Sequence, residues 1–251
     1  MLAIERRSEI LALLETQKSV LVADLGKKYG VTEETIRRDL ERLEKEGLVK
    51  KTYGGAVLAE NIAAEPPYKM RVNANREQKL IIAKKVFGLV DSGDNLMLDA
   101  SSTGMLIAKR LKEKKKITII TNSVEILLTY ADSKNATVIS TGGKLRESSL
   151  SLVGRDAERM LGNFTVDKAI ISCKGLELHK GLMESNVAET EVKKAMADSA
   201  KQLILAVDSS KFGKPAFARL FDISRVDIVV TDAPPPPAWQ TYFAENNIKV
   251  W

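Results

Sequence analysis

From Arg76 onward, short apolar runs alternate with amphipathic helical patterns, and this alternation leaves the chain few possible folds. The apolar runs have the length and composition of buried strands, and they lie at residues 95–99, 117–121, 136–140, 168–172, 202–207, 226–231 and 248–250. The helical patterns lie near residues 76–90, 103–113, 123–131, 187–200 and 239–246. Strands separated by helices predict an α/β fold, a doubly wound and mostly parallel sheet with helices on both faces.

The first 58 residues have a different pattern, which predicts three helices and a hairpin. Apolar periodicity indicates helices at 3–16, 22–29 and 33–46, and the third begins after a favourable N-cap residue, Thr32. Strand-like runs follow at 48–51 and 53–58. We therefore predict a small N-terminal domain at 1–58, a linker at 59–75 that contains two prolines, and a larger domain at 76–251.

The third predicted helix separates apolar from basic residues. Ile36, Leu40 and Leu43 fall on one face, whereas Arg38 and Arg42 fall on the opposite face. A helix that follows a tight turn and presents a basic face is suited to the major groove, where arginine can donate two hydrogen bonds to guanine. Acidic residues share this face, so the same pattern also fits a solvated helix covered with ion pairs.

Net charge does not decide between these two interpretations. The chain has a formal charge of +6, but residues 1–58 hold 11 basic and 10 acidic residues, a difference of only +1. Placement on one face therefore carries the prediction of DNA binding. The predicted contacts come from the helix, the hairpin lysines and the glycine-containing tip of the hairpin: Thr32, Thr35, Arg37, Arg38, Arg42, Lys50, Lys51, Tyr53, Gly54 and Gly55.

Small hydroxyl residues, glycines and a lysine follow several strands of the larger domain. The carboxyl ends of parallel strands meet at one edge of the sheet, where helix N-termini and hydroxyls can bind phosphate. Asp99 and Asn122 would then bind sugar hydroxyls, although each segment alone also fits a turn or a helix cap. The predicted effector-binding residues are Asp99, Ser101, Ser102, Thr103, Gly104, Thr121, Asn122, Gly142, Gly143, Lys144 and Lys211.

Several of these segments resemble the DeoR family of repressors. The sequence T-I-R-R-D-L at 35–40 and the pair Gly54-Gly55 match its DNA-binding module, and Asp99–Thr103, Thr121-Asn122, Gly142-Gly143 and Asp208–Gly213 are similar to its sensor domain. The resemblance implies a winged helix-turn-helix and a sensor domain similar in fold to ribose-5-phosphate isomerase. It also implies a repressor of sugar-metabolism genes whose operator affinity falls when a phosphorylated sugar binds.

A sugar-phosphate isomerase or deaminase with an appended DNA-binding module is the alternative. Such chemistry needs a carboxylate base, but residues 171–176 contain none, so only Asp99 or Glu189 would remain as candidates. We expect no enzyme activity and therefore no catalytic residue. We expect the polar side of the helix near 187–200, with Glu189, Glu191, Lys193 and Lys194, to be solvated. Alternatively, Glu189 lines the effector pocket beside Ser185 and Asn186.

Composition also limits which ligands and partners the protein can have. One cysteine and one histidine, Cys173 and His179, make no metal constellation, and we expect no cofactor. No apolar stretch approaches the roughly 18 to 20 residues of a membrane span, and the N-terminus does not resemble a signal peptide. We therefore expect a cytoplasmic protein that binds double-stranded DNA, a small phosphorylated sugar and no membrane. Because one small module binds DNA weakly, we expect a homodimer or a homotetramer.

Overall fold

The computed structural model describes residues 1–59 and 65–251, which form two compact units, Met1–Arg76 and Glu77–Trp251. The first unit contains α1 (Ala3–Gln17), β1 (Ser19–Leu21), α2 (Val22–Tyr29), α3 (Glu33–Lys45), β2 (Val49–Thr52), β3 (Gly55–Leu58) and α4 (Tyr68–Asn73). The three predicted helices and the hairpin are all present. The strand β1 was not predicted, because three residues are too few to show an alternating pattern.

The core of the first unit lies between its helices and a small antiparallel sheet. Ile10 and Leu14 of α1 pack in one cluster with Ile36, Leu40 and Leu43 of α3, and all five are fully buried. The sheet has the order β1-β3-β2. The apolar stripe of α3 therefore faces inward, as its periodicity predicted, and the opposite side of the helix is left in solvent.

Part of the predicted linker is a helix. In α4, Tyr68 and Met70 are buried, Met70 joins the core of the first unit, and the Ser8 hydroxyl donates a hydrogen bond to the Met70 carbonyl at 3.1 Å. A linker was predicted at 59–75, but residues 68–73 of it form α4, because a six-residue helix after a proline pair is too short to show periodicity. Residues 60–64 of that predicted linker lie outside the described residues.

The second unit begins with the sheet strands and the helices between them. Its first half contains α5 (Arg76–Leu89), β4 (Asn95–Leu98), α6 (Ser102–Leu111), β5 (Ile117–Thr121), α7 (Val124–Thr129), β6 (Ala136–Ser140), β7 (Lys144–Arg146), β8 (Ser151–Val153) and α8 (Arg155–Leu161). Its second half contains β9 (Val166–Ile171), β10 (Gly175–Glu177), β11 (Gly181–Glu184), α9 (Val187–Asp198), β12 (Ala200–Ala206), β13 (Ala218–Arg219), β14 (Ile228–Val230), α10 (Pro237–Glu245) and β15 (Lys249–Val250).

Seven parallel strands form the main sheet, in the order β15-β14-β12-β9-β4-β5-β6. Each corresponds to one of the seven predicted runs, with ends shifted by up to two residues, and the predicted mixed α/β fold class is confirmed. The chain builds outward from β4 in one direction through β5 and β6, and then in the other through β9, β12, β14 and β15. The strand order therefore reverses between β4 and β9, the kind of position where open α/β sheets bind ligands.

Two smaller sheets and one helix of the second unit were not predicted. The hairpin β7–β8 leads into α8, and β10, β11 and β13 form an antiparallel sheet. Their strands have two to four residues and do not coincide with a continuous apolar run in the sequence. The hairpin follows β6 and contacts the carboxyl end of β5, where the Leu152 amide donates to the Asn122 carbonyl at 2.7 Å.

Candidate functional sites

The outward side of α3 carries the residues predicted to contact DNA. The hydroxyl of Thr32 caps the helix by accepting from the Thr35 amide at 3.3 Å. The Arg38 and Arg42 side chains are 76% and 68% exposed, and Arg37 is more than half exposed. Arg37 and Arg38 are neighbours and Arg42 lies one turn further along, so all three project into solvent as a helix needs in order to enter the major groove.

Each of these arginines is paired with an acid. Arg37 Nη2 lies 2.7 Å from Glu33 Oε2, Arg38 Nε lies 3.2 Å from Glu34 Oε1, and Arg42 Nε lies 3.7 Å from Glu46 Oε1. The structure therefore shows the ion pairs of the alternative interpretation on this helix. Exposed pairs of this spacing contribute only about 0.3–0.5 kcal/mol each, so DNA phosphates and bases can replace the acids at small cost.

The hairpin β2–β3 beside this helix supplies the remaining predicted contacts. Lys50 is exposed, Lys51 pairs with Glu41 at 3.4 Å, and the Tyr53 side chain is fully exposed at the turn with Gly54. Gly55 differs from this prediction because it is buried. A Cβ at Gly55 would lie 2.0 Å from the Val20 carbonyl oxygen, so the glycine permits β1 and β3 to pair.

A buried ion pair orients α3 against α1. Asp39 accepts from Arg6 Nε at 2.6 Å and from Arg7 Nη1 at 3.2 Å, and its side chain is 5% exposed. Sequence reasoning did not single out this aspartate. Its position between Ile36 and Leu43 on the apolar face is the signal that would have found it, because a buried carboxylate needs a partner.

The second predicted site lies along the carboxyl edge of the main sheet. Ser101 follows β4 and caps α6 by accepting from the Gly104 amide at 2.8 Å, and Ser102 and Thr103 form the buried first turn of that helix. A Cβ on Gly104 would lie 2.7 Å from both the main-chain oxygen and Oδ1 of Asp99, so this position requires glycine. The α6 N-terminus therefore lies beside the point where the strand order reverses.

Asp99 supports this loop through both of its carboxylate oxygens. Its Oδ1 accepts from the Ser101 hydroxyl at 2.6 Å, and its Oδ2 accepts from the Ser172 amide at 2.9 Å and lies 3.1 Å from Lys193 Nζ. The residue is 1% exposed. Its predicted contact with sugar hydroxyls does not fit this geometry, and the carboxylate instead ties β4 to β9 and α9.

Lys193 of α9 lies at the centre of a buried charged cluster. It pairs with Glu184 as well as Asp99, and its Nζ donates to the Ser172 carbonyl at 2.8 Å. Burial by itself would lower the pKa of Lys193, but the carboxylates of Glu184 and Asp99 outweigh burial and hold the pKa above its usual value. Burial raises the pKa of Glu184, and the ammonium partly offsets that rise. Lys193 therefore stays charged and is already neutralised by protein groups.

The expectation that Glu189 and Lys193 lie in solvent is wrong. They belong to the buried stripe of α9 that Val192 and Met196 complete, at the i, i+3, i+4 and i+7 spacing. That spacing was the signal available in the sequence. The other two residues of the expected face, Glu191 and Lys194, are partly exposed and pair at 2.9 Å.

Beside this cluster, Glu189 is enclosed by hydroxyl groups. Its Oε1 accepts from the Ser149 hydroxyl at 2.7 Å and from the Ser151 hydroxyl, and Arg146 Nη1 lies at 3.9 Å. Of the hairpin residues, the sequence analysis named only Lys144, and it missed Arg146, Ser149 and Ser151 because nothing local indicates that β7–β8 contacts α9. Asp99 and Glu189, the two candidate bases of the enzyme alternative, are thus both occupied by protein donors.

The other predicted effector-binding residues occupy different parts of the edge. Thr121 is fully buried and donates to the Leu98 carbonyl at 2.7 Å, and Asn122 is 1% exposed. Gly142, Gly143 and Lys144 are exposed beyond β6. Lys211 follows β12, where its charge and the Ser210 hydroxyl outweigh burial and lower the pKa of Asp208.

These positions span more than one small ligand can cover. Four strand spacings separate β12 from β6, a distance of about 19 Å, which exceeds the length of a single phosphorylated sugar. The residues nearest the reversal of strand order, those after β4, β5 and β9, are the most compact group. The glycine loop after β6 lies at the far end of the edge from Lys211.

Burial also determines the chemistry of the one cysteine. Burial raises the pKa of the Cys173 thiol to about 12, with a further contribution from Glu184, so the thiol is unreactive near neutral pH. Among the described residues, no group of three or more His, Cys, Asp or Glu is placed to hold a metal ion. No helix in the described ranges has the length and apolarity to cross a bilayer.

Comparisons with known proteins cover both units. Residues 6–61 match the DeoR-like helix-turn-helix domain, and residues 74–233 match the DeoR C terminal sensor domain. An uncharacterized HTH-type transcriptional regulator of Bacillus subtilis, YulB, is 38% identical over all of this chain and 96% of its own length. The glycerol-3-phosphate regulon repressor of Escherichia coli is 29% identical over 98% of this chain and 97% of its own length.

A solved structure, ribose 5-phosphate isomerase A of Methanocaldococcus jannaschii, is similar over 55% of both chains, with 20% identity and a TM-score of 0.42. The relatives matched along their length are transcription regulators and not enzymes, as expected from the sequence. The resemblance found in the sequence is confirmed: the chain belongs to the DeoR family of DNA-binding transcription regulators.

Proposed function

We propose that this protein represses genes of sugar metabolism. A phosphorylated sugar or polyol binds to the second unit and lowers the affinity of the protein for operator DNA. The observation that carries the proposal is the reversal of strand order between β4 and β9, with the N-terminus of α6 beside it. Binding of the effector to one conformation of the protein more tightly than to another would change operator affinity. A coupling of 1–3 kcal/mol changes that affinity about 5- to 150-fold.

The DNA-binding half of the proposal rests on exposure and charge. Arg37, Arg38 and Arg42 project from α3 into solvent, and their acidic partners are held only by exposed pairs. We propose that these arginines contact bases or phosphates, and that Lys50 and Tyr53 of the hairpin contact the sugar-phosphate backbone. Glu33 and Glu34 remain near the DNA and disfavour non-specific binding.

The effector half rests on the donors at the sheet edge. The Ser102 and Thr103 main-chain amides in the first turn of α6 have no intrahelical acceptor and suit a phosphate group, and Lys211 provides a cation at the same edge. Lys193 is not available for phosphate, because Asp99 and Glu184 already neutralise it. The glycerol-3-phosphate named for one relative is a phosphorylated polyol, which is the chemical class proposed here.

We further propose that two or more copies act together. A single module of this size contacts too few base pairs to be selective among genomic competitors, whereas paired modules bind two half-sites. The proposed assembly is a homodimer or a homotetramer, and operator binding implies that it works in the cytoplasm beside the chromosome. Its mass in solution, measured by light scattering, tests this part.

The test is a thermal-shift screen of the full chain against phosphorylated sugars and polyols, each paired with its unphosphorylated form. A ligand that binds only the folded protein at 100 times its Kd stabilises it by about 2.7 kcal/mol, so a true effector raises the melting temperature. The same compound should lower the affinity for a DNA duplex selected from a random library by the protein. If no phosphorylated compound changes either quantity, the proposal is wrong.

A further inference from the structure

We propose that Asn122, Asn186 and Glu189 form a subsite that reads hydroxyl groups at the unphosphorylated end of the effector, an inference that rests on the proposed function. The three residues come from the end of β5 and the start of α9, and the hairpin β7–β8 lies between them. Two of the three carry a buried amide atom without a hydrogen-bond partner among the described residues. In the sequence analysis, Asn186 and Glu189 stood near the effector pocket only as the alternative to a solvated helix face.

Asn122 presents an acceptor. Its Nδ2 donates to the Leu152 carbonyl at 3.2 Å, and its Oδ1 has no partner in the described part of the chain although the residue is 1% exposed. Turning the amide over would place Oδ1 against the Leu152 carbonyl oxygen, so the hydrogen bond fixes which atom is free. A buried acceptor without a donor is costly and calls for an occupant that donates.

Asn186 presents a donor. Its Oδ1 caps α9 by accepting from the Glu189 amide at 2.9 Å, which fixes the orientation of the side chain. Its Nδ2 is shielded from solvent and has no partner within residues 1–59 and 65–251. The cap therefore aims an unused N–H group from the start of the helix.

Glu189 connects the two amides. Its Oε1 accepts from Ser151, the residue that precedes Leu152, and Leu152 in turn holds Asn122. Glu189 is also bound through its main-chain amide to Asn186. A chain of hydrogen bonds and sequence neighbours thus connects Asn122, Glu189 and Asn186, and it passes through the β7–β8 hairpin.

The chemistry of these three groups selects hydroxyls. Asn122 Oδ1 and the Glu189 carboxylate need donors, whereas Asn186 Nδ2 needs an acceptor, and a hydroxyl group can do both. A phosphate dianion has acceptor oxygens only, and the Glu189 carboxylate would repel it. The phosphate end of the ligand must therefore point away from this subsite, toward the start of α6 and Lys211.

Access to the subsite requires the hairpin to move. Ser149 and Ser151 are buried and now supply the hydroxyls that Glu189 accepts. When the hairpin parts from α9, ligand hydroxyls take the place of the serine hydroxyls and reach the two free amide atoms. The side chains that close the subsite thus carry the same functional group as the ligand that opens it.

The experiment compares phosphorylated probes that differ by one hydroxyl. Affinities are measured for ribose 5-phosphate and 2-deoxyribose 5-phosphate, for glucose 6-phosphate and 2-deoxyglucose 6-phosphate, and for glycerol 3-phosphate and the two propanediol phosphates that lack one of its hydroxyls. Inorganic phosphate reports on the phosphate end alone. Loss of one hydroxyl that satisfies a buried group should weaken binding of the preferred probe about 5- to 150-fold.

Two variants and a control assign that preference to the subsite. Asn186→Ser keeps a capping oxygen but removes Nδ2, and Asn122→Ala removes the acceptor. In both, the ratio between the hydroxylated and deoxy probes should fall close to one, while the affinity for inorganic phosphate stays unchanged. Asn163→Ser, an exposed position after α8, should retain the full ratio.

The outcomes separate this inference from the proposed function. If the unmodified protein binds none of the phosphorylated probes, the proposed function fails and the subsite with it. If it binds one but shows no preference for any hydroxyl, or if Asn186→Ser keeps the preference, the subsite assignment is wrong and the proposed function stands. An equal loss of affinity for inorganic phosphate in both variants would likewise overturn the assignment.

Discussion

The outward face of α3 and the inward face of α9 both carry alternating acids and bases, yet they behave as opposites. On α3, Arg38 and Glu34 are 76% and 62% exposed. On α9, Lys193 is 6% exposed and its partner Asp99 only 1%. Exposed pairs of the first kind contribute about 0.3–0.5 kcal/mol, whereas removing one partner of a buried pair costs about 3–5 kcal/mol.

This difference in burial separates charged side chains that can exchange ion-pair partners from charged side chains that cannot. Arginines held by weak exposed pairs are free to leave the protein's own acids for DNA. A buried ammonium that neutralises two carboxylates has no such freedom, and it holds β4, β9 and α9 in one geometry. Charge pattern alone therefore identifies neither a binding surface nor a structural element, since burial decides which it is.

The largest expected effect tests the buried side of this comparison. Lys193→Met removes the ammonium and leaves Asp99 and Glu184 without a buried cation, so the free energy of unfolding should fall by about 3–5 kcal/mol. Urea denaturation of the full chain, followed by circular dichroism, measures the change. Lys194→Met, one residue along the same helix but partly exposed, should change stability by less than about 0.5 kcal/mol. Equal losses in the two variants would refute the assigned role of burial.

A second substitution tests whether α3 is itself divided into a structural and a binding side. Asp39→Asn leaves Arg6 and Arg7 facing a neutral amide, and the first unit should lose about 2–4 kcal/mol of stability. Thermal melting of the full chain should show an earlier transition for this unit. Glu41→Gln, on the exposed side and paired with Lys51, serves as the control and should melt like the unmodified protein.

The substitution with the smallest expected effect on stability should clearly weaken DNA binding. Arg38→Ala breaks only an exposed pair, so unfolding should change by less than about 0.5 kcal/mol, whereas binding to the selected duplex should weaken by about 1–3 kcal/mol. Fluorescence anisotropy at fixed salt measures the binding. Arg159→Ala, at an arginine of the second unit that is 77% exposed, should leave DNA affinity unchanged. Unaltered binding by Arg38→Ala would remove this residue from the interface.

How much of the fold the sequence predicted depended on whether each element showed a clear hydrophobic pattern. All seven strands of the main sheet and the helices α1, α2, α3, α5, α6, α7, α9 and α10 were visible in the sequence, because each coincides with an apolar run or an amphipathic pattern. The segments α4, β1 and the hairpin β7–β8 were not, since they show no such run or pattern and depend on contacts made elsewhere in the chain. The candidate sites followed the same rule. Residues after long strands were predicted, whereas Ser149 and Ser151 were missed.

The amino-acid sequence by itself determined the family, the α/β architecture and the outward direction of the arginines on α3, because motif and periodicity are local properties of the chain. Only the tertiary structure decided that Asp99 and Lys193 neutralise each other, that Asp39 binds α1, and that Asn122 and Asn186 keep unused polar atoms beside Glu189. The physical reason is that solvation and pairing depend on neighbours far away in the chain. Such neighbours meet only when the strands and helices pack.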